Sequence, residues 1–241
     1  MSPILRIRTV HHRMTIQVYL YIAIAQTVLS AIVALLALFR FRSRSLIVKL
    51  IGFVFFASCL ANVISFTLVG SKTLRIFVNA SYPLYLIISL VLYSKIYYEI
   101  LHKRNPGLFV VAASAFAIFA LTNLFFIQKT APNSYSYLFH SAVIIIYCLA
   151  YFYVLMRDLP SLYVHHLPMF WFNSGLLVFH AGTFFLFSFH AYIINVLKNN
   201  MLIYWSFHNM LSIIEHIIFL IGLSYDLLML RPKESSLHTQ P

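Results

Sequence analysis

Long apolar runs alternate with short polar breaks along the whole chain. Seven runs, at about 17–39, 47–69, 76–98, 107–127, 137–156, 168–195 and 201–229, each match or exceed the roughly 20 residues a helix needs to cross a bilayer. Pro106-Gly107 and Pro168 stand at helix starts, where the missing N–H costs nothing, whereas Pro83 falls inside the third run and predicts a kink. Lys198-Asn199-Asn200 predicts a tight turn that makes the last two helices antiparallel neighbours. The pattern predicts an all-α polytopic membrane protein, a bundle of seven transmembrane helices over residues 1–231, followed by a short polar tail at 232–241.

Within these runs the polar residues sort by face, because successive residues of a helix turn by about 100°. In the last run, with His208 set at zero, Glu215 falls near about −20°, Ser212 near about 40°, Trp205 near about 60°, His216 near about 80° and Asn209 near about 100°. Asp226 falls on the same face towards the end of the run, and most other positions are Ile, Leu, Phe or Met. In the sixth run Asn173 and His180 lie seven residues apart and share a face. Milder stripes occur elsewhere: Ser58, Asn62 and Ser65 in the second run, Tyr82, Tyr85, Ser89 and Tyr93 in the third, His140, Tyr147 and Tyr151 in the fifth. Together they predict a bundle with a polar, aromatic interior.

Composition sharpens the class. Hydrophobic residues make up 62% and charged residues 9% of 241, against about 25% charged in soluble domains, so no separate soluble domain fits. The net charge of +12 sits in short clusters between apolar runs, which is how membrane proteins grip headgroups and not how nucleic acid is bound. With the N-terminus outside, the inner side holds nine Lys and Arg, including Arg40, Arg42, Arg44 and Lys49, and the outer side seven. That excess predicts N-out and C-in. The first run ends in arginines without a cleavage pattern, so it reads as a spanning helix and not a signal peptide. Cys59 and Cys148 fall inside apolar runs and read as small buried hydrophobes.

Glu215 is one of only five acidic residues, and it sits mid-span. A central carboxylate costs roughly 2.5 to 3.5 kcal/mol on insertion scales and is tolerated when paired or facing a cavity, which makes it a functional candidate. His180 stands at similar depth on the neighbouring helix and is the expected partner. The candidates for ligand binding or proton relay are therefore His180, His208, Glu215 and His216, supported by Asn62, Asn173, Trp205 and Asn209. Interhelical hydrogen bonding alone is the plainer explanation of the same stripe. Lys95 and Glu99, four apart, predict a local ion pair without chemistry.

Other chemistries were weighed against the residues. The seven-span hydrolases that include alkaline ceramidases carry Ser-x3-His early and His-x3-His late; here the positions read Ser58-x3-Asn62 and His208-x3-Ser212, so two zinc ligands are missing. Haem would need facing histidines such as His180 with His208 or His216. No Lys lies between Lys198 and Lys233 to form a retinal Schiff base, and no Walker motif, nucleophile elbow or CxxC occurs.

Pro168 to Gly175 with His180 through Phe187, then Trp205-Ser206-Phe207-His208-Asn209 and Ile221-Gly222-Leu223, resemble the last two spans of bacterial seven-helix sensory modules associated with histidine kinases. The resemblance implies a sensor or receptor-like module in a bacterial cytoplasmic membrane, signalling through a cytoplasmic partner because the chain ends soon after the last span. A small proton-coupled transporter, with Glu215 exchanging a proton with His180 or His216, is the alternative, and a metal or haem enzyme the third class.

Overall fold

The computed structural model describes residues 3–68, 75–101, 106–128, 134–158, 163–190, 192–193 and 201–229, with side chains from Ile16 in the first segment, Ala80 in the second and Leu202 in the last. The helices are α1 (Pro3–Leu38), α2 (Leu46–Leu68), α3 (Arg75–Ile100), α4 (Pro106–Thr122), α5 (Ser134–Asp158), α6 (Pro168–Ser188) and α7 (Met201–Met229). All seven are long and apolar enough to span a membrane, and among the described residues there is no strand. The protein is an all-α seven-helix bundle. Leu35, Ile118, Ile146 and Phe185 are among many large apolar side chains left exposed on its outside, as expected of a surface solvated by lipid.

α1 begins at Pro3, well before the apolar run that starts at Ile16. α6 breaks after Ser188, where the Ser188 hydroxyl donates to the Phe184 carbonyl at 2.7 Å and the Phe189 N–H folds back onto the carbonyls of Phe185 and Phe187. Helical backbone recurs at 190 and 192–193, with the Ile193 N–H donating to the Phe189 carbonyl at 2.9 Å, and 194–195 lie outside the described residues. α3 is helical through Pro83. The turn at Lys198-Asn199-Asn200 and the tail from 232 lie outside the described residues.

Six helices form a ring. α1 packs between α2 and α7, α2 against α3, α3 against α5, α5 against α6 and α6 against α7. α4 lies outside, touching α3 and α5 through Phe109, Phe116 and Ala120. Its last residues, Asn123–Ile127, widen into a π-helical turn whose Asn123 amide donates to Gln128 at 3.0 Å and to Ser136 on α5 at 2.9 Å. That polar knot ties α4 to α5 where both meet the connecting loop.

One end of the ring is closed by rings of a different kind. Phe219 of α7 packs edge-on against Phe55 of α2 at 4.8 Å and stacks on Phe172 of α6 at 5.2 Å. Glycines make room for them: a Cβ on Gly175 would come within 3.0 Å of Phe219, and one on Gly222 within 2.6 Å of Phe172 and 3.1 Å of the Pro168 carbonyl. Below this layer Arg44, whose side chain is fully buried, pairs with Asp226 of α7 and donates to the carbonyls of Leu36 at 3.0 Å and Phe39 at 3.1 Å. Arg44 thus fastens the end of α1 to α7 and satisfies two carbonyls the helix leaves open. α1 can turn so sharply here because Arg40 takes a left-handed conformation, φ 55°. Lys95 and Glu99 pair at 2.7 Å, as their spacing predicts.

Glycine substitutions separate this packing from helix propensity. Gly222→Ala is expected to lower stability by about 2 kcal/mol through overpacking against Phe172. Gly107→Ala, where an added Cβ meets nothing within 4 Å, is expected to be neutral or slightly stabilising. Unfolding in mixed micelles checks both.

Candidate ligand-binding cavity

The ring encloses a cavity of about 360 Å³, lined by residues of α1, α2, α3, α5, α6 and α7 and by none of α4. Its depth follows from the alternating helix directions. The mouth lies where α2 and α6 finish and α3, α5 and α7 begin, among Tyr19, Phe66, Tyr82, Tyr137 and Trp205. Among the described residues the lining is more exposed at this end, where Leu20 and Phe66 are 40% and 37% exposed, than at the other. The floor lies past mid-span, at Val54, Phe55, Tyr93, Glu215 and His216, directly above the Phe55–Phe172–Phe219 layer.

A chain of polar side chains crosses the ring beside the cavity. The Tyr82 hydroxyl donates to the Asn62 carbonyl oxygen at 3.1 Å, the Asn62 amide to Gln26 at 3.1 Å, and the Gln26 amide to the Ser212 hydroxyl at 3.3 Å. α3, α2, α1 and α7 are thereby linked in series. At its end, His216 Nδ1 donates to the Ser212 backbone carbonyl, one turn back on the same helix, which leaves Nε2 as the acceptor of the neutral ring. His216 Nε2, His208 Nδ1 and Thr183 Oγ1 are buried without a hydrogen-bond partner.

On the opposite wall the histidines are held by hydroxyls. Ser89 on α3 meets His140 Nε2 at 2.9 Å, Ser141 meets His180 Nδ1 at 3.3 Å, and the two imidazoles lie 5.2 Å apart. Trp205 and His208 extend this aromatic wall towards the mouth through Tyr137, whose ring stacks on Phe187 at 4.5 Å. His190, just past the end of α6, packs on Tyr204 at 5.1 Å, and its partial burial pushes the imidazole below its ordinary value.

Seven of the eight residues singled out from sequence line this one cavity: Asn62, His180, Trp205, His208, Asn209, Glu215 and His216. Asn173 does not. It accepts from the Tyr97 hydroxyl at 2.5 Å and donates to the Cys148 carbonyl at 3.2 Å, fully buried in the packing of α3, α5 and α6. Seven residues on one face amount to two turns, about 10 Å of rise, enough to move Asn173 out of the cavity and into the closed end. The expected pairing of His180 with Glu215 is also absent: His180 is taken by Ser141 and His140, and Glu215 receives no hydrogen bond or ion pair among the described residues. The two side chains face the same space from different walls.

Gln26 was the residue that sequence reasoning passed over. A lone amide in a run of apolar residues forms no stripe, although a single Gln at the middle of a spanning helix is itself a signal. Among the described residues no three His, Cys, Asp or Glu side chains converge on a point that could hold a metal ion. For haem, the suggested axial residues His180 and His208 both pack on the Phe179 ring, at 4.9 and 5.4 Å. Compared with models of protein families, with curated proteins and with solved structures, the chain matches none.

Asn173 and the cavity residues respond differently to truncation. Asn173→Ala leaves the Tyr97 hydroxyl, at a site with no exposure, only the weak Cys148 sulfur at 3.2 Å and is expected to cost about 1 to 2 kcal/mol. Combining it with Tyr97→Phe should restore most of the loss, which denaturation of the single and double variants would measure.

Proposed function

We propose that the protein is a membrane sensor or receptor-like module that admits a small molecule from one face and passes a change of helix packing to a partner at the other. The observation that carries this reading is the asymmetry of the cavity among the described residues: the more exposed lining lies near Tyr19, Phe66 and Trp205, and the floor is stopped by Phe55, Phe172 and Phe219. Such a shape suits capture better than passage. Its volume of about 360 Å³ lies at the small end of ligand pockets, roughly 300 to 1,000 Å³.

The route of output follows from what stands beneath the floor. Phe55 touches both His216 at 4.9 Å and Phe219 at 4.8 Å, and Arg44 joins α1 to α7 just below, so a molecule pressing on His216 bears on the helices that end at that face. The expected orientation would put the mouth outside and this end inside, beside a cytoplasmic partner. The likeness of 168–187 and of 205–209 and 221–223 to bacterial sensory modules supports the same reading. A proton-coupled transporter built on Glu215 would instead require a second arrangement in which the aromatic floor parts and the mouth closes.

One-sided access is the test. Thr183→Cys, a near-isosteric change at an unpartnered hydroxyl in the cavity wall, is expected to react with a membrane-impermeant methanethiosulfonate reagent added at the mouth face of oriented vesicles. It should be inert to the same reagent at the opposite face, with the unsubstituted chain as control for Cys59 and Cys148. Labelling from both faces would replace the receptor by the transporter. Labelling from neither would reduce the cavity to packing.

A further inference from the structure

We propose that the cavity is built for a monovalent organic cation, a primary or secondary amine on a small aromatic body, with its ammonium at the floor against Glu215. This names the ligand class of the receptor reading and rests on it.

Charge comes first. The lining contains one carboxyl group, Glu215, and no Lys or Arg, although Lys and Arg outnumber acids 17 to 5 in the chain. Glu215 is 5% exposed and, among the described residues, takes no hydrogen bond and no ion pair. A carboxylate in that position is relieved by a proton or by a cation that arrives from outside the fold. An ammonium supplies the missing charge and brings N–H donors with it.

The second observation is the polarity of the free hydrogen-bonding positions. With its Nδ1 hydrogen committed to the Ser212 carbonyl, His216 keeps an acceptor at Nε2, and that nitrogen is buried beside the floor without a partner. Glu215, next to it in sequence, is an acceptor too. A floor with two unmatched acceptors fits a ligand rich in donors, and a carboxylate or phosphate ligand would meet lone pairs with lone pairs.

The walls select among cations. Tyr85 and Tyr93 lie near enough to Glu215 to interact with its charge, and Phe55 packs edge-on against His216. Aromatic side chains around a carboxylate suit an ammonium carried on an apolar body, whereas a metal ion needs several oxygen or nitrogen ligands. The convergence of three such ligands is absent among the described residues. Higher up, Tyr137 and Trp205 offer apolar surface to the body of the ligand.

Three probes of matched size test the assignment: 2-phenylethylammonium, 3-phenylpropionate and the neutral 2-phenylethanol, titrated into the full chain in lipid nanodiscs. The chain has two tryptophans, so Trp171→Phe leaves Trp205 at the cavity mouth as the fluorescent reporter. The ammonium is expected to bind at least about tenfold more tightly than the alcohol, and Glu215→Gln to abolish that preference. Melting curves of the Gln variant establish that it is folded. Equal binding of ammonium and alcohol, tighter binding of the carboxylate, or an unchanged preference in Glu215→Gln would each overturn the assignment. Silence towards all three probes overturns it as well. If Thr183→Cys still labels from the mouth face only, the amine assignment alone has failed; if that labelling is also lost, the receptor reading has failed with it.

Discussion

Inside a bilayer no water is present to hydrate a polar side chain, and the architecture of this protein follows from that constraint. Six helices carry amides, hydroxyls, imidazoles or a carboxyl at mid-depth, and each must turn them away from lipid. A ring with a hollow centre accomplishes this for all six at once. The series from Tyr82 through Asn62 and Gln26 to Ser212 shows how the turning is fixed, since each amide uses both of its ends on different helices. Single bonds of this type contribute only about 1 kcal/mol, yet rotating α1 or α2 would break two of them, and rotating α3 or α7 one, with nothing in exchange.

The two ends of the ring are held by different physics. Around Phe172 and Phe219 the helices approach through glycines, and the space is filled so closely that a methyl group does not fit. Arg44 adds a charge pair and two carbonyl caps just beyond. Towards the mouth, hydroxyl-to-imidazole bonds and aromatic edges replace this dense packing, with buried hydrogen-bonding atoms left unmatched at Thr183 and His208. Dense packing resists small displacements, whereas contacts between ring edges and hydroxyls tolerate them. A bundle stiff at one end and adaptable at the other is suited to changing shape around a guest without coming apart.

Much of this was legible in the chain itself. Spanning runs reveal themselves by length, and the stripe on α7 could be counted because its polar residues are many and its remaining positions almost uniformly apolar. What resisted reading were relationships between helices. Asn173 and His180 share a face, but face counting gives an angle and no depth, so one enters the cavity and the other the closed packing. Arg44 and Asp226 are 182 positions apart, the first in a basic cluster that reads as a headgroup contact and the second on the polar face of the last run. The pairing of His180 with Glu215 rested on equal depth alone, and the ring places Ser141 and His140 closer. Gln26 lacked neighbours to mark it as part of a pattern.

α4 stands apart from all of this, since among the described residues it packs mainly against α3 and α5 and contributes nothing to the cavity wall. Its outward positions answer to a single requirement, solubility in lipid, and its inward ones to a narrow seam of two phenylalanines and an alanine. Two helices that meet the cavity, α3 and α5, therefore carry α4 as a passenger on their outer side. Any movement of those two helices would therefore displace α4 as well, and it would change the lateral outline that the protein presents to lipid.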